Sequence, residues 1–86
     1  MDRITEKHLS YLVDRINTET GSPMQPYGET GANVGNYHLS FAYGRVSLER
    51  MHNTSGGVAL IIGSGTKREL YNQMRAFLSG LEAKVA

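Results

Sequence analysis

NYHLSFAYGRVSLERMHNTSGGVALIIGSG, residues 36–65, reads as three short strands joined by two tight turns. Tyr37, Leu39, Phe41 and Tyr43 alternate with His38, Ser40 and Ala42; beyond Gly44 and Arg45, Val46 and Leu48 alternate with Ser47 and Glu49. A period of two marks a half-buried strand, because successive side chains point to opposite faces. Gly44 and Arg45 as the central pair suit a two-residue type II′ turn, whose first position takes glycine at no steric cost. That turn sets Tyr43 opposite Val46, Phe41 opposite Leu48 and Leu39 opposite Arg50 on an apolar face. The other face then pairs Ala42 with Ser47, Ser40 with Glu49 and His38 with Met51. A slip of one residue would send every aromatic to the wrong face, so the register is strongly specified.

Asn53, Thr54, Ser55, Gly56 and Gly57 form the second turn, and VALII, residues 58–62, follows without alternation. Such a run is either a strand covered on both faces or part of a buried helix. Its shortness, β-branched residues and flanking glycines favour a third antiparallel strand.

The flanks of this sheet are helical. Leu9, Leu12, Val13 and Ile16 follow the i, i+3, i+4, i+7 spacing of one helical face. Thr5 suits the N-cap, Ile4 and Leu9 sit where a hydrophobic staple forms, and Gly21 followed by Pro23 supplies the stop. The spacing predicts a helix over about residues 6–20, with His8 at the boundary of its apolar face. Residues 21–35, GSPMQPYGETGANVG, carry two prolines and four glycines and read as a loop crossing from helix to sheet, with Met24, Tyr27 and Val34 as its anchors. Leu70, Met74, Phe77, Leu78 and Leu81 form the stripe of a second helix, about residues 66–82, with Tyr71 bordering it. Thr66 and Glu69 make its capping box, and Gly80 weakens its last turns.

The expected fold is therefore α+β and two-layered: a helix, a three-stranded antiparallel sheet and a helix (α-β-β-β-α), with both helices on one sheet face. At 86 residues the chain reads as a single domain, residues 1–86, with no internal repeat or linker. A domain this short buries roughly 60–65% of its unfolded surface, so its stability is modest unless it oligomerises.

Composition excludes several classes. There is no cysteine, hence no disulfide framework and no thiolate chemistry. The charged N-terminus does not read as a signal peptide, and no run approaches the ~20 apolar residues of a membrane span. Asn53-Thr54-Ser55 matches a glycosylation acceptor that has no use without secretion. The net charge is +1. Residues 1–44 carry −2, from Arg3, Lys7 and Arg15 against Asp2, Glu6, Asp14, Glu19 and Glu29. Residues 45–86 carry +3, from Arg45, Arg50, Lys67, Arg68, Arg75 and Lys84 against Glu49, Glu69 and Glu82. This asymmetry permits an anionic partner without requiring one.

No catalytic constellation emerges. Asp14, Glu49, Glu69 and Glu82 lie on separate elements, His38 and His52 fall on opposite faces of the hairpin, and His8 is on a helix, so neither a carboxylate pair nor a metal site is expected. No serine sits in a G-x-S-x-G elbow. Gly63-Ser64-Gly65-Thr66-Lys67 lacks the full spacing of a phosphate loop, and no cofactor is expected. The same segment does leave a strand through glycines into a helix N-terminus. Such a terminus holds anions through its unsatisfied N–H groups and partial positive charge. Gly65, Thr66, Lys67 and Arg68 are thus the candidate anion- and nucleic-acid-binding residues. A nucleic-acid binder would gather Lys67, Arg68, Arg75 and Arg45 on one face.

Two resemblances follow. The topology and the run Gly63-x-Gly65-Thr66-Lys67-Arg68-Glu69 resemble a double-stranded-RNA-binding domain, whose last helix opens with lysines on phosphates. That resemblance implies phosphate contacts by Lys67 and Arg68. The family's longer loop between its first two strands is here the turn at Gly44 and Arg45, and its Gly-Pro-x-His motif is missing. The second resemblance covers more of the chain. GSPMQPY at residues 21–27, NVGNYHLS at 33–40, Ala42-Tyr43-Gly44, RMHN at 50–53, Gly56-Gly57-Val58, RELY at 68–71 and FLSGL at 77–81 resemble a family of small uncharacterised bacteriophage and prophage proteins. It implies expression in the cytoplasm of a bacterial host, without assigning an activity or site residues.

The function expected from the sequence is that of a small non-enzymatic phage or prophage accessory protein. It would act as a protein-interaction module on a host partner or on a second copy of itself, as a homodimer, without membrane contact. The alternative is a binder of nucleic-acid phosphate backbones.

Overall fold

The computed structural model describes residues 3–85. The chain runs α1 (Glu6–Thr20), β1 (Tyr27–Gly28), β2 (Gly31–Ala32), β3 (Tyr37–Ala42), β4 (Arg45–Met51), β5 (Val58–Gly65) and α2 (Lys67–Val85). β3, β4 and β5 form an antiparallel sheet with β4 in the centre, the α-β-β-β-α order expected from the sequence. Its core lies on one sheet face, where Leu9, Leu12, Val13 and Ile16 of α1 meet Leu70, Met74 and Leu78 of α2 over Val46 and Leu48.

α1 starts and stops as its residues dictate. Ile4 and Leu9 are buried at the start of α1, consistent with the staple. His8 does more than border the apolar face: its Nδ1 accepts the Thr5 N–H at 2.9 Å, the place Glu or Gln takes in a capping box. At the other end Gly21 has φ 68°, and the Gly21 and Ser22 N–H groups donate to Thr18 and Asn17 carbonyls, a Schellman stop. Arg15 pairs with Glu82 and so ties α1 to the far part of α2.

The hairpin differs from expectation in its turn. Ala42 lies opposite Arg45, so the central pair is Tyr43 and Gly44, both at positive φ (54° and 73°), as in a type I′ turn. The observed pairs are Phe41 with Val46, Leu39 with Leu48 and Tyr37 with Arg50, and on the outer face Ser40 with Ser47 and His38 with Glu49. The pairing is displaced by two residues from the expected one. An even displacement keeps every side chain on its face and changes only its partner. His38 thus meets Glu49, at 3.5 Å, rather than Met51. Tyr43 in the left-handed region carries a local cost of ~1–2 kcal/mol that asparagine or glycine would largely avoid.

The non-alternating run in β5 also has its explanation. Leu60 pairs with Glu49 and Ile62 with Leu48, which leaves Ile61 as an extra residue against two consecutive positions of β4. This β-bulge reverses the strand's facing: Leu60 lies on the outer side with Glu49, and Ile62 turns toward the core. The strand is therefore not covered on both faces; Leu60 is 63% exposed.

Three further expectations are corrected. Phe41 does not join the core; it is 52% exposed at the end of β3. Met24, Tyr27 and Val34 do not anchor the loop, for all three are largely exposed. The loop is instead fastened by polar bonds: Asn36 Nδ2 to the Pro23 carbonyl at 2.7 Å, Ala32 N–H to the Thr54 carbonyl at 3.1 Å, and the Gly35 and Asn36 backbones to Met51. It contains the small β1–β2 hairpin, where regular structure was not expected. Met51, on the outer face, is buried where this loop is bonded.

Candidate nucleic-acid interface

Thr66, Lys67 and Arg68 line an open cleft of about 660 Å³. Its other walls come from distant parts of the chain: Arg3 and Ile4 before α1, Phe41 and Ala42 ending β3, the Tyr43-Gly44 turn, and Arg45 and Val46 opening β4. The floor is apolar, since Ile4 and Val46 are both buried. The rim carries four cationic side chains, Arg3, Arg45, Lys67 and Arg68, and no carboxylate among the described lining residues. Two aromatic rings complete it, Phe41 and the wholly exposed Tyr43.

The fourth candidate residue, Gly65, stands behind the cleft rather than in it. It is buried, pairs with Val46, and a Cβ there would stand 3.0 Å from the Glu69 carboxylate. Gly65 thus lets that carboxylate reach back to the helix start. Glu69 Oε1 accepts the Thr66 N–H at 2.8 Å, and the Glu69 N–H donates to Thr66 Oγ1 at 3.1 Å, closing the capping box. The Thr66 N–H above all, then its hydroxyl, with a smaller contribution from the Arg45 charge, holds the Glu69 carboxyl below the ordinary range. The cap takes up two N–H groups at the helix start, those of Thr66 and Glu69. Lys67 and Arg68 still stand in the first turn, where the helix dipole disfavours cations.

Arg75 does not join this cluster. It lies over the Tyr71 ring, 5.9 Å from its centroid, beside the groove between α1 and α2. Arg3 takes its place at the cleft. Sequence reasoning missed Arg3 because nothing local links residue 3 to residue 67; only the packing of Ile4 into the core brings them together. Tyr43 escapes the sequence analysis because the strand alternation of Tyr37, Leu39 and Phe41 continues through it. The available signal was an aromatic beside glycine in a tight turn, a place asparagine or aspartate usually takes.

Among the described residues, no three His, Cys, Asp or Glu side chains converge to hold a metal ion. No described helix is long and apolar enough to cross a membrane. Comparison with known proteins finds no matching family model, curated protein or solved structure.

Proposed function

We propose that this chain is a small, non-enzymatic nucleic-acid-binding protein that grips phosphate backbones in the cleft at the start of α2, serving as a phage or prophage accessory protein in the cytoplasm of a bacterial host. The carrying observation is the gathering of Arg3, Arg45, Lys67 and Arg68 around one cleft without a described carboxylate on its lining. Cationic side chains gathered on one surface attract a polyanion, which releases its own counterions as it binds. The phage setting is supported by the separated sequence segments described above.

The test is fluorescence anisotropy of labelled DNA and RNA oligonucleotides, single-stranded and duplex, at low salt. Binding should weaken steeply as salt rises, and the Lys67→Ala/Arg68→Ala double variant should lose affinity and reduce the salt slope by about two charges. Absence of binding at low salt, or a double variant that binds like the parent, would overturn the reading.

A second reading, a protein-interaction module formed by homodimerisation, is supported by β5. It is an edge strand whose Val58, Leu60 and Ile61 are exposed, and an unpaired edge is a template for another strand. Antiparallel pairing of two β5 strands would satisfy twofold symmetry. Sedimentation velocity should then show a concentration-dependent dimer that Leu60→Lys abolishes; a monomer at high concentration sinks this reading.

A further inference from the structure

Tyr43 is the least explained residue of the fold. It occupies the first central position of a type I′ turn at φ 54°, which a bulky side chain rarely adopts. Strain of this kind persists where packing compensates it or where function uses it. Packing does not, for the side chain is wholly exposed. Phe41, two residues earlier, is likewise left half-exposed instead of buried under the helices. Both rings line the cleft that holds the four cations.

Resting on the phosphate-binding reading above, we infer that the nucleic acid bound here is single-stranded, and that Tyr43, with Phe41 beside it, is the platform on which its bases stack. Cationic side chains that track the backbone, beside exposed rings that accept base faces, are the working parts of single-strand binders. A duplex keeps its bases stacked on one another, so it has no face to offer Tyr43. A two-residue turn also projects too little chain to cross a minor groove. An acidic peptide would satisfy the cations but gain little from two ring faces. DNA and RNA strands share the chemistry that the rings and cations recognise.

The experiment uses the full chain and five labelled probes at low salt: a 20-nucleotide deoxythymidine strand, a uridine strand, an abasic strand of equal length, a 20-base-pair duplex and an oligoglutamate peptide. The base-bearing strands should bind at least about tenfold more tightly than the abasic strand and the duplex, within the ~5–150-fold that one stacked base is worth. Tyr43→Asn should remove most of that advantage and leave abasic binding unchanged, whereas Tyr43→Phe should keep it. The thermal midpoint of Tyr43→Asn should equal or exceed that of the parent, since asparagine suits the turn; this separates lost binding from lost folding. Equal affinity for abasic and base-bearing strands, or a Tyr43→Asn variant that binds them like the parent, overturns the stacking inference and leaves phosphate binding standing. Binding of oligoglutamate alone, or of nothing, overturns both. The two base-bearing strands show whether the sugar matters.

Discussion

The side-chain amide of Asn17, on α1, bonds the backbone of Tyr37 at both ends: Oδ1 accepts the Tyr37 N–H at 2.8 Å and Nδ2 donates to the Tyr37 carbonyl at 3.0 Å. Asn17 is fully buried and β3 is an edge strand, so one amide closes the start of an otherwise open edge and locks the helix to the sheet. Asn17→Ala strands a partly buried donor and acceptor together and should cost about 2–4 kcal/mol. That is a large share of the stability of so small a domain. Urea denaturation checks it, and amide exchange at Tyr37 should accelerate in the variant; an unchanged midpoint would show that water replaces the amide.

The core is centred on Leu48 and Met74, both inaccessible to solvent, while Phe77 is only half-buried and meets Tyr37 at a ring separation of 6.0 Å. Met74→Ala should therefore cost about 2–5 kcal/mol. Phe77→Ala should cost less than Met74→Ala, although the larger side chain is removed. Denaturant midpoints of the two variants decide the order, and the reverse order would relocate the core.

Gly80 sits inside α2, where a Cβ would meet no described side chain and no neighbouring element within 4 Å. Alanine there adds no clash and lowers the entropy lost on folding. Gly80→Ala should raise stability by about 0.5–1 kcal/mol. The helix runs past Gly80 to Val85, beyond the expected end at about residue 82, so a lower midpoint would be the surprising result.

Glu69 yields a pH prediction. Its carboxyl is held below the ordinary glutamate value of 4.5 by the Thr66 N–H, so its charge favours the folded state. That contribution is fully present above the ordinary value and is lost as the pH falls through the lower, folded-state value. Glu69→Gln keeps an acceptor for the cap and removes the charge. The parent should melt higher than this variant at neutral pH, with the gap closing in acid. A gap that does not change with pH would make the carboxylate's charge irrelevant to the cap.

Much of this architecture was legible in the chain because it rests on local patterns. The 3.6-residue stripes, Thr5 and Thr66 before them, Gly21 after the first, and the alternation through residues 37–49 each act over a few positions, where sterics and hydrogen bonding leave few choices. The start of α2 was legible as an anion-holding candidate for the same reason. Other features needed distance. Turn chemistry admits Gly44 as either the first or the second central residue, and the packed register of Leu39 on Leu48 decides between them. The VALII run carries no alternation because its facing changes at Ile61, a bulge set by the partner strand. The buried amides of Asn17 and Asn36 look like ordinary polar residues until the backbone groups they satisfy are brought beside them. The cleft belongs to this second kind: Arg3, Tyr43, Arg45 and Lys67 are remote in sequence, and only the burial of Ile4 and Val46 beneath them makes one surface of them.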